Sequence, residues 1–361
     1  MKHLLIYFTK DLSFNNSFCN FVDRKLQEKN LITNSIIKLN DDDSKLNTLL
    51  EIDAKKYELI TIIADEHSFS MINKILATLK ECELFLVDDE FIVADTKVYQ
   101  KNSVLIDLNG ISINVLKASA FYLPEILHIA KANYDFLISD LDLESAEILL
   151  NTSVKPYGVN LNIFSILDNL LYVKVTTNEY SDEVGFLNSI KSLFPKKILF
   201  TNNIYKHIIT KLKENNKKFS LAESCTGGMI ASNFTKIDGA SEVYEGSVVT
   251  YSNKSKKAWL NVDDFYLENG AVYSQNCSLA MANGVLKLTK ANYAISCTGV
   301  LGANDDLGTK SGVVYISAVS DTGLILHERL ELKGDRIYMQ EQCSYACALL
   351  LCKLEKDLFF E

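Results

Sequence analysis

Two short segments hold the residue types that acyl-transfer chemistry needs. The first is Leu221-Ala222-Glu223-Ser224-Cys225-Thr226-Gly227-Gly228, and the second is Thr250-Tyr251-Ser252-Asn253-Lys254-Ser255-Lys256. Together they offer an alcohol, a phenol and an amine, and no histidine lies inside or between them. A lysine withdrawn from water beside a serine gives up its proton more readily and can then accept the serine's. The chemistry within reach is therefore lysine-assisted hydrolysis. Ser224 is the nucleophile or the group that orients a water, Lys256 is the base and Tyr251 assists. Lys254 and Lys257 read as solvated helix lysines. Cys225 is a rival nucleophile, but no neighbouring histidine is present to hold it as a thiolate.

Both segments end an apolar run and open a helical pattern, so each predicts a strand-to-helix turn. Such turns lie at the carboxyl edge of an α/β sheet, where these sheets bind ligands. Gly227 and Gly228 let backbone N–H groups approach a substrate. The helix start behind them favours an anion or a developing oxyanion. Arg336, in Gly334-Asp335-Arg336, opens the last helical pattern. A cation there opposes the helix dipole at about 0.3–1 kcal/mol, and a phosphate held by it would supply the reason. Thr298-Gly299-Val300-Leu301-Gly302 follows a strand pattern and could line a nucleotide pocket. Asp305-Asp306 reads as a solvated loop pair. The substrate-binding candidates are thus Thr226, Gly227, Gly228, Asn253, Thr298, Gly299 and Arg336.

The elements that must carry these residues follow an α/β rhythm. Strands over 2–9, 35–39 and 59–64 alternate with helices over 16–29 and 71–80, which predicts a doubly wound sheet. Asn109-Gly110 marks a hairpin between alternating apolar positions. Pro124 opens a helix running to Tyr134, and a strand follows to Leu141. The pattern loosens over 151–170. A small β-α-β module then spans 171–201. From Ile204 the rhythm resumes, with strands over 219–222, 247–251 and 293–297, a hairpin across Ser320-Asp321-Thr322 and a closing helix over 335–356. The expected domains are 1–160, 161–202 and 203–361.

Composition narrows the function classes. The chain has 361 residues and a net charge of −9, all of it in residues 1–150; the remainder is neutral. No basic stripe exists, so nucleic acid is not an expected partner. No apolar run approaches the ~18 residues of a membrane span, and the N-terminus reads as a strand rather than a secretory signal. Eight cysteines are scattered without a Cys-x-x-Cys pair. They predict reduced core thiols in a cytoplasmic protein, with no metal site and no cofactor.

Taken together, the motifs resemble the competence-damage-inducible (CinA) family. That family's C-terminal pattern runs Ala-Glu-Ser-Cys-Thr-Gly-Gly, Thr-Tyr-Ser-Asn-x-x-Lys, Gly-Ala-Val-Ser, a Thr/Ser-Gly-Ile-Ala-Gly-Pro loop and Gly-Asp-Arg. Here these read Ala222–Gly228, Thr250–Lys256, Gly270–Ser274, Thr298–Ala303 and Gly334–Arg336, so the match covers roughly residues 204–361. The resemblance implies a three-layer α/β/α domain that hydrolyses the carboxamide of nicotinamide mononucleotide to nicotinic acid mononucleotide and ammonia. It places Ser224, Tyr251 and Lys256 in the catalytic group, makes Arg336 and the Thr226–Gly228 turn binding or oxyanion candidates, and implies a homodimer. A second reading is a nucleotide-binding regulatory protein that has lost catalysis. Four departures bear on it. Leu301-Gly302-Ala303 replaces Ala-Gly-Pro, Asp305-Asp306 replaces a Gly-Gly pair, Lys310-Ser311-Gly312 replaces Lys-Pro-Val-Gly, and Gln340 replaces a second arginine.

The first part resembles the family's molybdopterin-biosynthesis-like domain, and residues 171–201 resemble its KH-like module. In the family, the first domain can cleave ADP-ribose. Its Gly-rich signature is replaced here by Asp65-Glu66-His67-Ser68-Phe69, and its opening Gly-Thr-Glu-Leu by Phe8-Thr9-Lys10-Asp11. A phosphate cradle needs glycine N–H groups. This domain is therefore expected to be a silent scaffold.

Overall fold

The computed structural model describes residues 2–39, 43–128, 133–178, 180–268 and 270–361. The chain forms two compact units, residues 1–131 and 132–361, and the fold class is α/β in both.

The first unit holds β1 (His3–Phe8), α1 (Asn16–Glu28), β2 (Ser35–Leu39), α2 (Asp43–Thr48), β3 (Leu59–Ala64) and α3 (Glu66–Leu79). It continues with β4 (Leu84–Val87), β5 (Glu90–Val93), β6 (Thr96–Gln100), β7 (Ser103–Leu108) and β8 (Ile111–Lys117). The main sheet runs β2-β1-β3-β8-β7-β6. β1, β2, β3 and β8 are parallel, while β7 and β6 fold back antiparallel. Successive side chains of a strand face opposite ways. Leu4, Ile6 and Phe8 therefore enter one core and Leu5 and Tyr7 the other. That is why β1 and β3 read as unbroken apolar runs rather than alternating ones. β3 passes straight into α3, whose first turn is capped by Asp65 accepting from the Ser68 N–H at 2.9 Å. The helix expected from Pro124 is absent over residues 123–128, which are irregular; residues 129–132 lie outside the described ones.

The second unit opens with β9 (Asn133–Ser139), α4 (Leu143–Tyr157), β10 (Asn160–Leu167), β11 (Leu170–Thr176), α5 (Glu183–Leu193) and β12 (Ile198–Leu199). These strands form one sheet, β10-β11-β9-β12. The small module is thus larger than the β-α-β unit expected over 171–201. β9 was expected to belong to the first domain, but it pairs antiparallel with β11 along its whole length and with β12. That pairing joins residues far apart in sequence, which local pattern does not reveal. The expected boundary at 160/161 falls at the start of β10, and the loosened stretch before it is α4.

The rest of the unit holds α6 (Ile204–Glu214), β13 (Phe219–Glu223), α7 (Met229–Thr235), β14 (Tyr244–Val249), α8 (Asn253–Leu260) and α9 (Gln275–Thr289). β15 (Tyr293–Gly299), β16 (Val313–Ser320), β17 (Ile325–Glu331), α10 (Arg336–Leu354) and α11 (Lys356–Phe359) complete it. The sheet order is β14-β13-β15-β16-β17. β14, β13 and β15 run parallel, and β16 and β17 return antiparallel. Phe219, Leu221, Ile295 and Cys297 pack into the core shared with α6, α7 and α10. Ala222 and Ala294 face the opposite core, built with α9. A sheet covered on both sides leaves the carboxyl ends of its parallel strands as the open edge, and both chemically equipped segments begin there. No helix among the described residues is long and apolar enough to cross a membrane.

Candidate active site

β13 delivers Ser224 to the sheet edge, and the chain then turns sharply into α7. Gly227 and Gly228 adopt φ of +63° and +102°, conformations that favour glycine. β14 delivers Thr250, and α8 starts three residues later. Ser252 caps α8 reciprocally with Ser255: the Ser255 N–H donates to Ser252 Oγ at 3.1 Å, and the Ser252 N–H to Ser255 Oγ at 3.2 Å. This cap sets the helix phase that turns Lys256 inward while Lys254 and Lys257 stay in solvent.

Lys256 is only 1% exposed and Ser224 only 6%. Nζ of Lys256 donates to Ser224 Oγ at 2.9 Å and to the Thr250 carbonyl at 2.8 Å. Neither partner is charged, and no carboxylate among the described residues forms an ion pair with Nζ. Burial holds its pKa below the ordinary lysine value, with the Cys277, Cys225 and Cys297 thiols pulling weakly the other way. An amine in this setting sheds its proton at lower pH than a surface lysine. Once it is neutral, the same 2.9 Å contact can reverse, with the hydroxyl donating to the amine.

Tyr251 stands apart from that pair. It is 62% exposed, and its hydroxyl accepts from Arg336 Nη2 at 2.8 Å. Arg336 is exposed at the start of α10, where Asp335 caps the helix by accepting from the Tyr338 N–H. The site therefore has a buried pair, Ser224 with Lys256, and an exposed pair, Tyr251 with Arg336.

Glu223 is a site residue that sequence reasoning missed. It is fully buried. Its Oε2 accepts from Thr226 Oγ1 at 2.8 Å, Gly228 N–H at 3.0 Å and Ile230 N–H at 3.1 Å; its Oε1 accepts from Ala231 N–H at 2.9 Å and Ser247 Oγ at 3.3 Å. Burial raises its pKa, and the bonds from Ala231, Thr226 and Ile230 oppose that shift. This carboxylate caps α7 from beneath and shapes the Ser224 turn. The available signal was a glutamate closing an otherwise apolar strand.

Several residues expected to bind substrate also have internal partners. The Thr226 hydroxyl and Gly228 N–H serve Glu223, and the Gly227 N–H closes the turn onto the Ser224 carbonyl at 3.1 Å. Asn253 Nδ2 donates to the Leu267 carbonyl, and Thr298 Oγ1 to that of Val272, each at 2.9 Å. At Gly299 a Cβ would lie 2.4 Å from the Val313 carbonyl oxygen, so glycine is required for strand packing. Cys225 is no rival to the serine. Hydrogen bonds with the Cys297 and Cys343 thiols, together with burial, hold its pKa above the ordinary value. Gln340, where the resemblance called for arginine, donates to the Cys225 carbonyl at 2.9 Å. Asp305 and Asp306 are exposed, as expected, yet both are tied: Asp305 accepts from the Ser311 N–H at 2.9 Å and Asp306 from the Tyr273 hydroxyl at 2.5 Å.

Comparison with known proteins agrees with the motifs. The CinA C-terminal domain family model matches residues 201–354. A CinA-like protein of Pseudothermotoga lettingae is 40% identical over 145 residues, covering 40% of this chain and 36% of its own. A CinA-like protein of Fervidobacterium nodosum is 34% identical over 172 residues, covering 46% of this chain and 41% of its own. The crystal structure of the competence/damage inducible protein CihA from Agrobacterium tumefaciens is 30% identical, covering 42% of this chain and 93% of that one, with a TM-score of 0.41. The chain matches between 31% and 55% of the length of its curated relatives. Residues 201–354 of this chain are thus similar to the CinA C-terminal domain family.

Proposed function

We propose that this protein is an amidohydrolase that converts nicotinamide mononucleotide to nicotinic acid mononucleotide and ammonia. The observation that carries the reading is the 2.9 Å contact between Ser224 Oγ and the buried amine of Lys256, which has no carboxylate partner among the described residues. In the proposed reaction neutral Lys256 takes the Ser224 proton as Oγ attacks the carboxamide carbon. The resulting ammonium then protonates the departing amide nitrogen, and ammonia leaves. Water attacks the acyl-serine ester, again losing a proton to Lys256, and releases the acid. Negative charge develops on the carboxamide oxygen in both steps. The Cys225 and Thr226 N–H groups donate to no acceptor among the described residues, so they are the candidate oxyanion donors, next to the serine itself. Arg336 is assigned the substrate phosphate, with Tyr251 holding its guanidinium. The test is ammonia release from nicotinamide mononucleotide by the full chain and by Ser224→Ala. Equal release by both would overturn the reading.

Two further outcomes follow. Arg336→Ala should raise KM about 10–100-fold with a smaller change in kcat, since a charge-assisted contact contributes about 1.5–3 kcal/mol; steady-state kinetics checks this. The active amine is the unprotonated one. Turnover should therefore be lost at low pH and rise as pH passes upward through the depressed pKa of Lys256. A pH–rate profile reads that limb directly.

One observation favours a binding protein without catalysis: Asp305 and Asp306 stand exposed where the resembled family has a Gly-Gly pair. Tight mononucleotide binding without ammonia release would select that reading. The first unit is assigned a scaffold role, because β3 runs into α3 through the Asp65 cap and offers no glycine cradle. With a divalent metal present, ADP-ribose should yield no AMP.

A further inference from the structure

Three thiols meet behind the Ser224 turn. Cys225 follows Ser224 directly, Cys297 lies within β15, and Cys343 projects from α10. Their sulfur atoms all lie within 4.8 Å of one another. Cys225 is 5% exposed and the other two are fully buried. None of the three is in a disulfide. Cys347 lies one turn further along α10 and is not among the three whose sulfur atoms are all in mutual reach. Each of the three sulfurs is carried by a different packed element, so the group is held in place without an ion.

Three sulfurs bound to one ion at ~2.3 Å sit about 3.8–4.0 Å apart, so closure here needs movements of less than ~1 Å. The donor set is thiol alone, with no imidazole or carboxylate among the grouped ligand atoms. Thiolates select soft ions, Cu(I) foremost among the monovalent ones. Structural zinc instead calls for a closed set of four ligands, and the group that lies within mutual reach has three. We propose that Cys225, Cys297 and Cys343 form a buried trigonal thiolate site for Cu(I). Binding exchanges three S–H protons, released to solvent, for three copper–sulfur bonds. No electron is transferred. The scattered spacing of these residues led the sequence to predict no metal site; three separate elements supply the ligands.

The test uses the full chain, reduced and kept free of oxygen, with Cu(I) supplied from a coloured competing chelator. The expected result is uptake of one equivalent, with X-ray absorption showing only sulfur neighbours. Cys297→Ala should weaken uptake by at least ~100-fold, since losing a ligand costs no less than losing one of its supports. A Cys19→Ala, Cys82→Ala double variant should bind as the parent does. Failure to take copper from the chelator would overturn the proposal. So would uptake that depends on Cys19 and Cys82 but not Cys297, or stoichiometric binding of Zn(II) in place of Cu(I). If Cys297→Ala does not fold, the parent protein still decides: nitrogen or oxygen neighbours around the copper would contradict the site.

Discussion

Lys256→Met is expected to lower amidase turnover by about 10³-fold while leaving the protein folded. A positioned general base contributes roughly 10²–10⁴ in rate, and among the described residues no other base contacts the Ser224 hydroxyl. Methionine has nearly the length of lysine and suits a buried position. The change gives up the contacts to Ser224 and the Thr250 carbonyl, but it also removes an amine that burial disfavours in its charged form. Stability should hold or rise by up to ~2 kcal/mol, the pattern expected where a site is tuned for activity. Lys256→Arg should be as inactive as the methionine variant, because a guanidinium keeps its proton at every working pH. Ammonia release and thermal melts on the same samples separate these effects. A variant that keeps its turnover would remove lysine from the chemistry.

Glu223→Ala should act through the fold. Truncation strands five donors around the lost carboxylate, three of them backbone N–H groups in or leading into the first turn of α7. Those groups have no intrahelical partner by construction, and Gly228 at the cap position offers no side chain to replace the lost one. Losing one side of a buried charged network costs about 3–5 kcal/mol. For a unit of this size that is a fall of ~6–20 °C in melting temperature. Glu223→Gln should fall between the parent and alanine. It keeps the shape, but it turns one of its two acceptors into a donor facing donors. Differential scanning calorimetry gives the order directly.

These two residues mark what the sequence could and could not convey. The pairing of Ser224 with Lys256 was legible because their two motifs occur together, each ending a strand pattern and opening a helix. Ser224 sits just past β13 at the sheet edge, and the Ser252 cap sets the phase of α8 that buries Lys256. Glu223 was visible only as a motif letter, because its partners become apparent once α7 folds back over it. Thr226, Gly228, Thr298 and Gly299 were read as lining the pocket, since small and hydroxylic residues at a sheet edge suit that role equally well. Their actual partners, Glu223, the Val272 carbonyl and the β16 backbone, come from packing. The same limit hid the cysteine group, whose members lie on a turn, a strand and a helix far apart in the chain. It also hid the place of β9, an antiparallel strand whose partners follow it in sequence.

The account rests on an amine that is uncharged when the neighbouring hydroxyl needs a base. Carbon-13 labelling of the lysine side chains, with the Lys256 resonance assigned through Lys256→Met, would follow its ionisation against pH in the free protein. The prediction is a resonance that titrates below the ~10.4 of ordinary lysines, matching the acid limb of the rate profile. A Lys256 signal that titrates alongside the surface lysines, or stays protonated beyond them, would contradict it.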